Sequence, residues 1–454
     1  MKKAAEKGRL RRCCSAAARP LSLSFGGKLA RRGFASWSAL PTATTTKDQG
    51  GGSVWRFPVL SVAPMMDHTD RHFRYMLRQI CPTSLLLYTE MVVARSLVEA
   101  EEEEGGPSSA ARHLLSFSRG VENPLILQLG GDDPYLLAKA AELGERHGYD
   151  GINLNVGCPS NAVAGSGRFG AVLMRHPARV ALCLREMRRA VSPRVALSVK
   201  HRIGVDELDS YEHLKSFVER VGGEGRCQWF VVHARKAILD KGFSPKQNRS
   251  VPPLRYDVAY RLKRDFPELR IDLNGGVKTL DECRRHLQAS PSADDGENEA
   301  GGGVDGVMIG REATSNPFGL FAEAEAMFSP SGSAVNEATT PTAKLQRTIS
   351  RAELVHCMVE YAHRVKREEE EREKDEEDEQ NCEGSMKKQK RKKRKQPFKL
   401  WHIARHMQGL FHGAPGAKEW KAALQNICQQ ETSAAPEALL KALPFVTNSI
   451  YSKG

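Results

Sequence analysis

From Val59 onward, short runs of apolar, β-prone residues alternate with stretches whose apolar positions recur every three or four residues. The runs are LSVAPM, LLLYTEM, PLILQLG, GINLNVG, RVALSVK, WFVVHAR, RIDLNGG and GVMIGRE. Most are continuously apolar, the pattern of parallel strands covered on both faces. Between them PYLLAKAAELGERHG, ARVALCLREMRRAV and SYEHLKSFVERV carry helical periodicity, and Thr279 with Glu282 forms a capping-box pair opening the helix after RIDLNGG. Eight strand–helix units across residues 57–330 predict an α/β fold, a (β/α)8 TIM barrel. The alternative is a doubly wound open sheet, weakened because no GxGxxG follows the first strand.

The pattern fails in four places. Residues 1–50 are rich in Arg, Lys, Ser and Ala, with Glu6 the only acid before Asp48. They read as a transit peptide, mitochondrial ahead of plastid, or else as a basic extension of a cytoplasmic protein. Residues 290–303 (SPSADDGENEAGGG) are a low-complexity insert between the seventh helix and the eighth strand. Residues 350–430 suggest a small helical domain, with AELVHCMVEYAHRV and KLWHIARHMQGLF as amphipathic helices. Inside it, residues 367–396 pass from REEEEREKDEEDEQ to KKQKRKKRKQ, a charged insert expected to be disordered, and residues 431–454 read as a C-terminal tail.

Charge and cysteine usage narrow the function. A net charge of +13 on 454 residues and a pI near 9.3 favour a polyanionic partner, although the N-terminal segment and the basic block contribute to the surplus. Ten cysteines without a CxxC pair or zinc-type spacing indicate reduced thiols and no structural metal. No apolar run is long enough for a membrane span.

Active sites of such barrels form at the carboxyl ends of the strands. There the chain places Pro64-Met65, Glu90, Gln128, Asn155, Lys200, His233 with Arg235, Asn274-Gly275-Gly276 and Gly310-Arg311. The NGG and GR ends, with a helix N-terminus behind them, suit a phosphate. Gln128, Asn155 and Lys200 suit the ring of a mononucleotide cofactor: an amide matches a pyrimidine edge, and a lysine stabilises an anionic reduced flavin. A salt bridge of Lys200 with Glu90 is the structural alternative, and His233 could equally be a core histidine.

The segments APMMDHTDRHFR, LYTEMV, LQLGG, INLNVGCPS, SVKHRIG, VHARKA, NGGVKT and GREATSNP together resemble the tRNA-dihydrouridine synthases. The best match is the bacterial-type subfamily acting on U20 and U20a of the D-loop. The resemblance spans Phe57 to Phe328 and resumes at LWHIARHMQGLFHGAPGAKEW. It implies an FMN-binding barrel with a helical tRNA-binding domain, NADPH as electron donor, and reduction of uridine to 5,6-dihydrouridine by a monomer. It also implies FMN contacts from Pro64, Met65, Gln128, Lys200, His233, Asn274, Gly275, Gly276, Gly310 and Arg311. Asn155 would lie beside the base. Arg235, Lys236, Lys246, Arg249 and Arg405 would face tRNA, as would Lys241. Tyr88, Tyr256 and Phe169 are candidates for stacking or for the core.

One position departs from the family. The loop that reads FGACLM in the family, with a cysteine supplying the C5 proton, reads FGAVLM here and carries Val172. Valine has no exchangeable proton. Three readings stay open: replacement by Cys158 of the GCPS turn or by a water held by Asn155, a slow enzyme using solvent protons, or a non-catalytic tRNA-binding protein. A further class, an FMN oxidoreductase acting on small enones or dihydroorotate, would oxidise NADPH without tRNA.

Overall fold

The structure, a computed structural model, describes residues 44–47, 53–102, 114–160, 163, 168–240, 242–288, 303–328, 349–382, 398–430 and 435–446. After a short antiparallel hairpin of Thr44–Lys47 with Ser53–Arg56, eight parallel strands close into a barrel. They are β1 (Leu60–Val62), β2 (Leu85–Val93), β3 (Leu125–Gly130), β4 (Gly151–Val156), β5 (Ala196–Arg202), β6 (Trp229–His233), β7 (Arg270–Asn274) and β8 (Gly306–Ile309). Closure pairs Leu60 with Val307 and Val62 with Ile309. The expected TIM barrel is therefore present, with each predicted run holding one strand.

Helices follow the first seven strands: α1 (Arg71–Ile80), α2 (Ala94–Glu102), α3 (Pro134–His147), α4 (Pro177–Ala190), α5 (Tyr211–Gly223), α6 (Tyr256–Asp265) and α7 (Leu280–Gln288). Their starts are encoded locally. Asp70 and Asp133 each accept two backbone N–H groups at the heads of α1 and α3. At α7, Thr279 Oγ1 accepts from Glu282 N and the Glu282 carboxylate accepts from Thr279 N, the reciprocal box expected there. Between β8 and Phe328 the described helices are short: Arg311–Ser315, Pro317–Phe321 and Ala324–Phe328. The helix N-terminus expected behind Gly310 is thus a five-residue turn with little dipole to offer.

Alternation along each strand sorts the side chains. Leu85 and Leu87 join the large core between strands and helices, whereas Leu86 and Tyr88 join a smaller cluster inside the barrel with Phe57, Ile126, Trp229, Val231 and Met308. One step further toward the carboxyl ends the inward positions turn polar. An apolar floor thus lies beneath a polar mouth.

The C-terminal segments form the expected helical domain, packed on α1. Helix α8 (Arg351–Cys382) buries Leu354, Val355, Met358, Tyr361, Ala362 and Val365. Its Tyr361 ring stacks on Tyr75 at 4.0 Å, and its hydroxyl lies 2.9 Å from His72 Nδ1. Two boundaries differ from expectation. The acidic half of the charged insert continues α8 through Cys382. A packed stem nucleates the helix, Glu, Lys and Arg propagate it well, and Glu368 reaches both Arg364 and Arg71 of the barrel. Part of the presumed tail is a 3-10 segment, Pro436–Val446, that buries Leu439, Ala442 and Val446 against α8 and α9 (Ala417–Gln430). The basic half of the insert, the 290–303 insert except Gly303, and the N-terminal segment except Thr44–Lys47 lie outside the described residues.

Candidate active site at the barrel mouth

The inward residues at the strand ends form a chain of amides. Gln128 Nε2 donates to Asn153 Oδ1 at 2.8 Å, Asn153 Nδ2 to Ser198 Oγ at 2.9 Å, and Asn155 Nδ2 to Gln128 Oε1 at 2.9 Å. Thr89 Oγ1 accepts from the Gln128 backbone N–H at 3.0 Å. Asn155 Oδ1 in turn accepts from Gly157 N and Cys158 N, at 3.1 and 3.0 Å. Asn155 therefore shapes the Gly-Cys-Pro turn, with one amide N–H left for a ligand. Amides tied in series present a fixed donor–acceptor edge.

Beside this chain, positive charge gathers, and no described acid pairs with Lys200. Lys200 pairs in register with Asn155 of β4 and makes no ion pair among the described residues. Burial, and secondarily Arg202, lower its pKa from 10.5 to about 7, with Cys158 opposing. The salt bridge to Glu90 is absent. His233, on the neighbouring strand, is pushed well below the usual histidine range by burial and then by Arg202, Lys200, Arg235 and Arg311. Burial, and then Arg311, lower the Arg249 pKa. The charged groups that shift His233 most, Arg202, Lys200, Arg235 and Arg311, are all cations, the electrostatic mark of an anion site.

Backbone completes the cradle. Gly275 and Gly276 have φ of +119° and +77°, which side chains rarely adopt. A Cβ on Gly275 would lie 2.8 Å from the His233 ring, and one on Gly276 would lie 2.6 Å from the Tyr256 hydroxyl. Asn274 Nδ2 donates to Met308 O at 2.8 Å, locking β7 to β8. On the same side of the mouth, Met65 caps the inner cluster, its N–H held by Thr69 Oγ1 at 3.0 Å. Pro64 precedes it, and Gly310 lies on the adjoining strand end, where a Cβ would sit 4.0 Å from Met65 Sδ.

The other candidates divide. Arg235 donates to the Pro252 carbonyl. Lys236 is tied to Asp209 at 2.6 Å, so an RNA contact would have to compete with that pair. Lys246 is exposed, and Lys241 lies outside the described residues. Arg405 donates to Asp70 at 2.5 Å. Among the aromatic candidates, Tyr88 and Phe169 are core residues, and the half-buried Tyr256 donates its hydroxyl to Gly275 O at 2.8 Å.

Sequence reasoning missed Arg202, Asp70 and Asn153. Arg202 donates to the carbonyls of Gly157, Lys236 and Asn248 at 2.9, 3.0 and 3.0 Å, binding three mouth loops together. Its position one turn of alternation beyond Lys200 was the available signal. Glu90 is raised by burial and by Asp70.

The model of the dihydrouridine synthase family matches residues 61–396. This chain belongs to that family. Among curated family members it is 43% identical over 384 residues to a tRNA-dihydrouridine(20/20a) synthase of Synechocystis, covering 85% of this chain and 93% of that one. It is 41% identical to the enzyme of that name from Escherichia coli K12, covering 85% and 88%, and 41% identical to that of Vibrio cholerae, covering 80% and 89%. The family match takes in all eight barrel strands but for the first residue of β1, together with the loop that carries Val172. In this synthase-family chain Val172 is half-buried in a 3-10 turn, Gly170–Arg175, whose Ala171 N–H donates to Cys158 O at 2.8 Å.

Proposed function

We propose that this protein reduces uridine to 5,6-dihydrouridine at positions 20 and 20a of tRNA, with FMN bound at the barrel mouth and NADPH as electron donor. The observation that carries this reading is the uncompensated cluster of Lys200, Arg202, His233, Arg235 and Arg311 beside the amide chain of Gln128, Asn153 and Asn155. The fit to a flavin mononucleotide is good: a fixed amide edge for a pyrimidine, an unpaired lysine next to it, and a side-chain-free cradle among cations for a phosphate. FMN bound there supplies hydride-transfer chemistry. His233, Arg311, Gly275 and Gly276 hold the phosphate, while Gln128 and Lys200 orient the ring. Asn155 keeps one N–H for the base, and Arg235, Arg249, Lys246 and Arg405 neutralise RNA phosphates, as an extruded nucleotide requires.

Val172 supports a second reading, a tRNA-binding protein that keeps the scaffold without turnover. The test is direct. Purified protein, NADPH and an unmodified tRNA transcript yield dihydrouridine under the first reading. Retention of FMN and tRNA without product supports the second, and NADPH oxidation independent of tRNA supports a small-molecule oxidoreductase. An organellar address for residues 1–50 is proposed on their composition, and a fluorescent fusion of that segment would report it.

A further inference from the structure

Asp70 is an odd residue to find on a surface offered to a polyanion. It stands in the loop after β1, on the same face as the mouth, and its carboxylate accepts four donors. His72 N and Phe73 N reach Oδ1 at 3.0 Å each, capping α1. Arg405 Nη2 and His406 Nε2 of the helical domain reach Oδ2 at 2.5 and 2.8 Å. Arg405 Nε lies 3.3 Å from His406 Nε2, and the shorter contact assigns that imidazole's proton to Asp70. His406 is buried and packs its ring on Phe73, which fixes the arrangement from below. Despite desolvation, Asp70 is held far below the ordinary carboxylate range, chiefly by His406. Glu90 at the end of β2 is shifted by both Asp70 and Arg405, so the group borders the mouth.

A guanidinium has five N–H donors in one plane. Here one is committed to Asp70 and one faces His406, and the rest have no partner among the described residues. We propose that Asp70 is a positioning residue for RNA: it holds Arg405 at the lip of the mouth so that its remaining N–H groups meet an RNA phosphate. This rests on the reading of Arg405 as an RNA contact. Ordering the arginine beforehand removes an entropic cost that binding would otherwise incur, a gain of about three- to tenfold in affinity for one long side chain.

The sign of the effect separates positioning from simple charge. Removing an acid near RNA would tighten binding if only the field mattered. Positioning predicts the reverse. Asp70→Asn keeps the α1 cap, since Asn caps as well as Asp, but turns its second atom into a donor facing Arg405. Kd for an unmodified tRNA transcript should rise about three- to tenfold in the full-length variant. Asp70→Ser, which also caps, should do the same and serves if the first variant is unstable. In an Arg405→Ala background either change should have no further weakening effect. Wild-type protein that retains tRNA while Asp70→Asn binds equally well or better would overturn the inference alone, as would full additivity with Arg405→Ala. Wild-type protein that does not bind tRNA would overturn the reading of Arg405, and the positioning role with it.

Discussion

Replacing Lys200 by Met should stabilise the flavin-free protein, with a pH dependence that follows from its surroundings. The folded chain lowers the Lys200 pKa from 10.5 to about 7. Below pH 7 the ammonium is charged in both folded and unfolded chains, and the folded state carries the whole cost of the buried, unpaired cation. Between pH 7 and 10.5 the unfolded chain binds more protons, so wild-type stability rises with pH across that window. Above it the lysine is neutral in both states and the cost is gone. At about 1.4 kcal/mol per unit, and allowing for water that still reaches the mouth, the deficit at pH 6 is roughly 2–4 kcal/mol. Methionine has a similar length and no charge. Urea denaturation of wild-type and Lys200→Met apoprotein at pH 6, 8 and 10 should show the variant ahead at pH 6 and the gap nearly closed at pH 10. Reduced FMN should reverse the order, because under the proposed reading its anionic ring would lie beside the lysine and compensate the charge. A variant less stable at pH 6, or a gap that does not change with pH, would refute the reasoning.

Other perturbations probe the rest of the site. Val172→Cys restores a thiol in the Gly170–Arg175 turn, and single-turnover dihydrouridine formation should rise by about 10²–10⁴ if no donor acts there now. An unchanged rate that falls on Cys158→Ala would identify Cys158 as the donor in use. Gly275→Ala forces a side chain to φ +119° against the His233 ring; melting should report a loss of about 1–3 kcal/mol, and fluorescence titration a weaker FMN affinity. Glu122→Ala strands the buried Arg74, which also holds the Thr69 carbonyl at 2.7 Å, and chemical denaturation should show about 3–5 kcal/mol of destabilisation.

The barrel was legible because its strands are covered on both faces and its helices carry their own caps. The strand-end residues were legible for the same reason, since topology alone sends them to one mouth. What sequence could not supply was how these residues use one another. Asn155 reads as a ligand contact, yet its Oδ1 is already committed to Gly157 and Cys158. Arg405 is implied by resemblance as an RNA contact, yet it is held by an aspartate hundreds of residues away in the chain. Long-range pairs leave no periodic trace. The acidic run beyond Arg367 departs from the expected disorder for another reason: its composition lacks core-forming residues, but a helix already nucleated by packing can propagate through it.

The departure at Val172 is best understood from where that residue sits. The cation cluster, the amide chain and the glycine cradle all belong to strand ends whose positions are set by the barrel's register. Val172 belongs to a loop turn anchored to them through the Ala171–Cys158 backbone bond, which any residue at position 172 leaves intact. A thiol and an isopropyl group are similar in bulk, and the position is half-buried, so the exchange costs little in stability. Under the proposed function, proton delivery could therefore be lost or reassigned without disturbing the proposed cofactor and RNA contacts. On this account the wild-type protein and Val172→Cys bind FMN and tRNA with the same affinities and differ only in the rate of reduction. A change in either affinity would mean that the turn and the strand-end site are coupled after all.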